Sequence, residues 1–212
     1  MRIFTFFGDS FTSGENNGFQ SFVDYLDSEV DAATIKYGES GTCIGNYSLY
    51  PVKDCSLLSM LYESDSLYAA DAVFLEFGIN DAAAVYKWYT STTNILIDLR
   101  KAIDYIQQNT NEGTSTYFIR FDDVTLRRLA KYQVAYLQEY YQDLPPKDAD
   151  QRELYETRII KCYNAIADTA IKYGCKPLFI HVADDEWDTD NLHPTDAGYR
   201  NIAQTLRAQL NI

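Results

Sequence analysis

Ser10 stands where an apolar run ends: Ile3 to Phe7 stops at Gly8-Asp9-Ser10. A buried strand ending in a tight turn delivers the next side chain to the strand's carboxyl edge, where open α/β sheets bind ligands. A hydroxyl there becomes a nucleophile if a base takes its proton and a third group orients that base. The chain has two histidines, His181 and His193. His181 falls in the apolar run Pro177 to Ala183, which reads as a strand. His193 sits in a loop, Asp190-Asn191-Leu192-His193-Pro194, just before a helix start. A carboxylate three residues ahead of an imidazole folds back in one turn and accepts from its Nδ1–H. Ser10, His193 and Asp190 are thus candidates for nucleophile, base and orienter.

Acyl transfer also needs neutral donors aimed at the oxyanion that develops on the substrate carbonyl. Phe77-Gly78-Ile79-Asn80-Asp81 follows the apolar run Ala72 to Leu75, so the Asn80 amide lies just beyond a strand end. Alone, Asn80-Asp81 reads as a helix cap. Gly38-Glu39-Ser40-Gly41-Thr42 follows a third apolar run, Ala33 to Tyr37, and a glycine there lets backbone N–H groups approach a ligand closely. Alone it is an ordinary glycine turn.

Together these four blocks resemble the SGNH hydrolases, also called GDSL-type esterases and lipases. They occur in family order and span Gly8 to His193, nearly the whole chain. The resemblance implies Ser10 as nucleophile and backbone oxyanion donor, Gly41 as second backbone donor, Asn80 as side-chain donor, and Asp190 with His193 as orienter and base. Glu76, two residues before Gly78, fits a common family variant. Phe11 replaces the usual Leu or Ile, which leaves the chemistry intact. The second block lacks the family's frequent Asn, so Gly38 and Gly45 are alternatives to Gly41.

At 212 residues the chain is long enough to bury one proper core, and a single catalytic domain over residues 1–212 is expected. A formal charge of −13, from 18 basic and 31 acidic side chains, argues against nucleic acid or anionic membrane as partners. No stretch approaches the roughly 18 apolar residues of a membrane span. The first apolar run is short and leads directly into the serine turn, so no secretory signal is read and a cytoplasmic location is expected, although a trimmed signal would leave the same sequence. Cys43, Cys55, Cys162 and Cys175 show no CxxC spacing, which disfavours zinc; disulfides stay open. Asp184, Asp185, Glu186, Asp188 and Asp190 form an acidic loop without the glycine of an EF-hand. No metal or organic cofactor is expected.

Strand and helix patterns alternate. Strands are predicted near Arg2–Phe7, Ala33–Tyr37, Ala72–Phe77, Ser115–Phe121 and Pro177–Val182. Helical spacing marks Gly18–Val30, Thr93–Gln107, Asp148–Tyr173 (with Leu154, Ile159, Tyr163, Ile166 and Ala170 on one face) and a last helix capped by Thr195. Such alternation predicts an α/β fold, a three-layer α/β/α sandwich on a five-stranded parallel sheet. The resemblance supplies the flavodoxin-like strand order 2-1-3-4-5. An excursion at about 122–146 is rich in tyrosine, with Tyr132, Tyr136, Tyr140 and Tyr141 before Pro145-Pro146. Its stripe reads first as packing or a subunit interface and second as a lid over the site.

The function implied is a serine esterase working through an acyl-enzyme on Ser10. A short acyl group, acetyl, on a carbohydrate or similar polar alcohol is the expected substrate, because Tyr86, Trp88 and Tyr89 follow the Asn80 loop and aromatic faces suit sugar rings. The alternatives are a lipase or thioesterase, an acyltransferase, or a binding module that keeps the scaffold.

Overall fold

The computed structural model describes residues 1–46, 56–86, 89–140 and 148–211, with the backbone alone at 86 and 137–140. Cys55, Trp88, Tyr141 and Pro145-Pro146, and the side chains of Tyr86 and Tyr140, lie outside the described residues. In chain order the elements are β1 (Arg2–Gly8), α1 (Ser10–Ser13), α2 (Phe22–Asp27), β2 (Ala32–Gly38), α3 (Leu57–Glu63), β3 (Ala72–Glu76), α4 (Ile79–Tyr86), α5 (Thr92–Asn109), β4 (Ser115–Phe121), α6 (Asp123–Tyr140), α7 (Ala149–Lys172), β5 (Lys176–Ile180) and α8 (Asp196–Leu210). The strands form one sheet in the order β2-β1-β3-β4-β5, every pairing parallel. This is the predicted α/β architecture and strand order.

The two central strands are apolar on both faces because helices cover both. Phe4 to Phe7 in β1 and all of β3 are buried. Phe6 stacks on Phe74 with ring centroids 4.3 Å apart, and Phe74 on Tyr117 at 5.0 Å, so one row of rings crosses β1, β3 and β4. At the β5 edge Lys176, Pro177 and Phe179 are exposed. There Gln209 of α8 takes up free backbone groups: its Oε1 accepts from Phe179 N at 2.9 Å and its Nε2 donates to Phe179 O at 2.6 Å.

Helix ends follow the sequence signals. Ser91, Asp148 and Thr195 each accept a backbone N–H at the starts of α5, α7 and α8. The predicted helix at Gly18–Val30 is shorter, because Ser21 caps α2 and a separate single turn, Glu15–Asn17, precedes it. Leu154, read as apolar-face, is 47% exposed: the first turns of α7 are largely solvent-facing, whereas Ile159, Tyr163, Ile166 and Ala170 are buried. The short helices α1, α3 and α4 carry too little periodicity to be read from sequence.

Candidate active site

All the predicted site segments leave the carboxyl edge of the sheet. Gly8, at the end of β1, permits the first turn of α1 to fold against the strand: a Cβ there would lie 2.0 Å from Thr12 Oγ1. Asp9 caps that turn by accepting from Phe11 N at 3.0 Å, which sets Ser10 as the first helical residue. Gly41 follows β2 with φ of +75°, a conformation that favours glycine. Gly38, the alternative donor, is fixed by packing instead, since a Cβ on it would meet Ser13 N at 2.6 Å. Asn80 lies in the first turn of α4, just beyond β3.

His193 sits in a turn built by carboxylates. Asp190 Oδ1 accepts from the backbone N–H of Leu192 and of His193, each at 2.9 Å, and its Oδ2 lies 2.6 Å from His193 Nδ1. Burial works to raise the Asp190 carboxyl, but the imidazole and the two backbone N–H groups outweigh it and hold it at about 2. The other ring nitrogen, His193 Nε2, is buried and has no hydrogen-bond partner among the described residues.

Ser10, Gly41, Asn80 and His193 line one cavity of about 390 Å³, together with Glu15, Ser40, Tyr132, Gln133, Tyr136 and Leu192. The serine turn and the histidine turn are tied by one side chain. Asn16 Nδ2 donates to Pro194 O at 3.2 Å and to Asp188 Oδ2 at 3.4 Å, and Asn16 Oδ1 accepts from Tyr199 OH at 3.1 Å. From the other side Arg128 of α6 donates to Asp184 (3.0 Å) and Asn191 (3.2 Å) and lies 4.9 Å over the Trp187 ring. The acidic loop is therefore part of the site's frame as well as a solvated surface.

Two buried carboxyls lie beneath the cavity. Gly8 and Glu76 are register partners, so Glu76, at the end of β3, stands beside Asp9. Both side chains are buried. Asp9 Oδ2 accepts from Asn80 Nδ2 at 2.9 Å, and Glu76 Oε2 accepts from Thr12 Oγ1 at 3.1 Å. Burial raises the Asp9 carboxyl to about 6, against the pull of the Phe11 N–H, the Glu76 side chain and His193. Burial and the neighbouring Asp9 push Glu76 well above the usual carboxylate range. The pair thus favours sharing a single proton near neutrality. Asp9 went unremarked as a positioning group in the sequence, although it sits inside the Gly-Asp-Ser block. Asn80 Nδ2 also donates to Thr42 O at 3.3 Å, so Asn80 must turn one hydrogen from that carbonyl to serve an oxyanion.

Tyr89, a predicted substrate contact, is 53% exposed and lines a second depression of about 280 Å³ with Asn46, Asn94 and Lys101, not the cavity that holds Ser10. The tyrosines that do line that cavity are Tyr132 and Tyr136 of α6, whose stripe reads first as packing or an interface in the sequence. His181 lies just past β5, half-exposed, and pairs with Asp122 at 2.8 Å away from the cavity. Cys43, Cys162 and Cys175 are free thiols, all buried. Among the described residues no group of three His, Cys, Asp or Glu side chains is placed to hold a metal ion, and no helix is long and apolar enough to cross a membrane.

The sequence matches the GDSL-like Lipase/Acylhydrolase family over residues 6–200. The chain belongs to that family. It is an ester-cleaving hydrolase. A sequence search of curated proteins returned no match. Solved structures share the fold of this GDSL-family chain at low identity. A carbohydrate acetylesterase family member from Sinorhizobium meliloti is 14% identical, with a TM-score of 0.59 over 100% of both chains. A family two carbohydrate esterase from Clostridium thermocellum is 15% identical, with a TM-score of 0.60 over 99% of this chain and 63% of its own. The aryl esterase of M. smegmatis is 12% identical, with a TM-score of 0.61 over 100% of this chain and 99% of its own.

Proposed function

We propose that this GDSL-family hydrolase is a serine esterase acting through an acyl-enzyme on Ser10. The observation that carries the reading is His193: its Nδ1 is held by Asp190 at 2.6 Å while its buried, unpaired Nε2 belongs to a residue lining the same cavity as Ser10. Ser10 Oγ attacks the ester carbonyl as His193 Nε2 takes its proton. The tetrahedral oxyanion receives the backbone N–H groups of Ser10 and Gly41 and the Asn80 amide. His193 returns the proton to the departing alcohol, and water releases the acyl group by the same route.

The substrate we propose is a short acyl ester, an acetyl ester, of a carbohydrate or similar polar alcohol. A cavity of about 390 Å³, with two tyrosines on its wall, suits a small acyl group and a sugar ring rather than a long hydrocarbon chain. The shared fold with carbohydrate esterases is consistent with this. The test compares p-nitrophenyl acetate with the decanoyl ester, using the native protein and Ser10→Ala. Loss of turnover by about 10³-fold or more in Ser10→Ala, with preference for acetyl, supports the proposal. Equal turnover by both proteins defeats the mechanism, and preference for the long chain defeats the substrate.

A further inference from the structure

The cavity wall contains a polar side chain that the hydrolytic mechanism does not use. Gln133 of α6 is 4% exposed and lines the space shared with Ser10, Asn80 and His193. Its amide makes no hydrogen bond to any described residue. The other polar side chains on the wall have assignments: Ser40 bonds to Glu15, Asn80 bonds to Asp9 and Thr42, and Ser10 and His193 perform the reaction. Gln133 has none.

A primary amide offers two donors and an acceptor, and the Gln133 amide opens onto the cavity, where water can reach it. A ligand that fills the cavity strips that water and either replaces its hydrogen bonds or leaves the amide unsatisfied, which is unfavourable. A hydroxyl near the scissile ester finds both a donor and an acceptor on Gln133. An alkyl group displaces water from the amide and gives nothing in return. Tyr132 and Tyr136 flank it at the preceding and third-following positions, half-buried, their rings 6.2 Å apart with 23° between planes. Sites built to hydrogen-bond a substrate group reject analogues lacking it far more strongly than apolar pockets reject a changed methylene.

We infer that Gln133 is the specificity-determining residue of this site, selecting esters with a hydroxyl or similar polar group beside the scissile bond over esters of plain alkanols. Tyr132 and Tyr136 supply the adjoining ring surface. The inference rests on the Ser10 esterase reading and names the determinant of its substrate class.

Gln133→Met keeps the length of the side chain and removes its hydrogen bonds. kcat/KM is measured for a monoacetylated methyl glycoside and for butyl acetate. The native protein prefers the glycoside ester, and Gln133→Met lowers that preference about tenfold, the scale of one net hydrogen bond. A preference within about twofold of the native value overturns the assignment. Gln133→Asn, which withdraws the amide by one methylene, shifts the preference in the same direction and replaces the methionine variant if that one does not fold. Ser10→Ala in the same assay separates the two ideas. Should turnover survive it, the esterase mechanism fails on its own. Calorimetric binding of the glycoside ester then judges Gln133: about tenfold weaker binding by Gln133→Met upholds its role, and equal binding overturns it.

Discussion

Asn80 donates its amide to Asp9 at 2.9 Å, and both side chains are buried. The residue preceding the proposed nucleophile therefore fixes the orientation of the proposed oxyanion donor. Asn80→Ala should lower kcat by about 10²-fold or more with little change in KM, the signature of an interaction made in the transition state. Asp9→Asn leaves one oxygen, which can accept from Phe11 N or from Asn80 but not from both, and the lost hydrogen bond should lower kcat about tenfold. Steady-state kinetics on an acetyl ester checks both.

The Asp9–Glu76 pair makes stability and activity move oppositely with pH. Burial raises Asp9 to about 6, so between pH ~4 and ~6 the folded chain holds a proton that the unfolded chain has lost. Its contribution to stability therefore declines as pH rises through that window. Activity should instead rise, because ionised Asp9 is the stronger acceptor for Asn80 and a general base works only when neutral. The Glu76 side chain pulls Asp9 down against burial, so Glu76→Leu, which removes that pull, should move the acid limb of kcat/KM to higher pH. An unmoved limb overturns the assignment of that limb to Asp9. Profiles of kcat/KM and urea midpoints against pH give both readings.

Asp190 has the reverse linkage. Its carboxyl is held at about 2, so the stability it contributes is full above pH ~4 and is lost as pH falls towards 2. Asp190→Asn places an amide against His193 Nδ1 and disfavours the tautomer that leaves Nε2 free to accept. Turnover should fall about 10³-fold or more at pH 8, while the acid unfolding curve loses part of its steepness below pH 4.

Strand positions and the four motif blocks were legible because each rests on local pattern: apolar runs, turn residues, and a three-residue spacing from Asp190 to His193. What was not legible depends on tertiary placement. Tyr132 and Tyr136 lie at helical spacing, but only the packing of Leu126, Leu129, Ala130 and Val134 shows which way α6 is rolled over the sheet edge. Leu154 fits the apolar period of α7, yet periodicity cannot show where the covering layer ends. The Asp9–Glu76 contact follows from the register of β1 on β3, which no single-strand pattern contains.

Arg128 holds the histidine turn by shape more than by charge. Asp184, its ionic partner, is 93% exposed, so Asp184→Asn should change stability little. Arg128→Ala loses the stack on Trp187 and the bond to Asn191, and should cost about 1 kcal/mol together with a fall in kcat. Arg128→Lys should not restore the native values, because an ammonium lacks the planar fork. Urea denaturation and kinetics on the three variants check this.

The bond from Asn16 to Pro194 joins residues 178 positions apart. Such a closure is slow relative to local helix formation, because the intervening chain must be ordered before the ends can meet. On the proposed mechanism, a ribosome-bound chain that has not yet emerged through Pro194 holds Ser10 without its base and should be catalytically silent. During refolding, recovery of ester turnover therefore marks the joining of the two ends of the fold and trails the return of the helical signal.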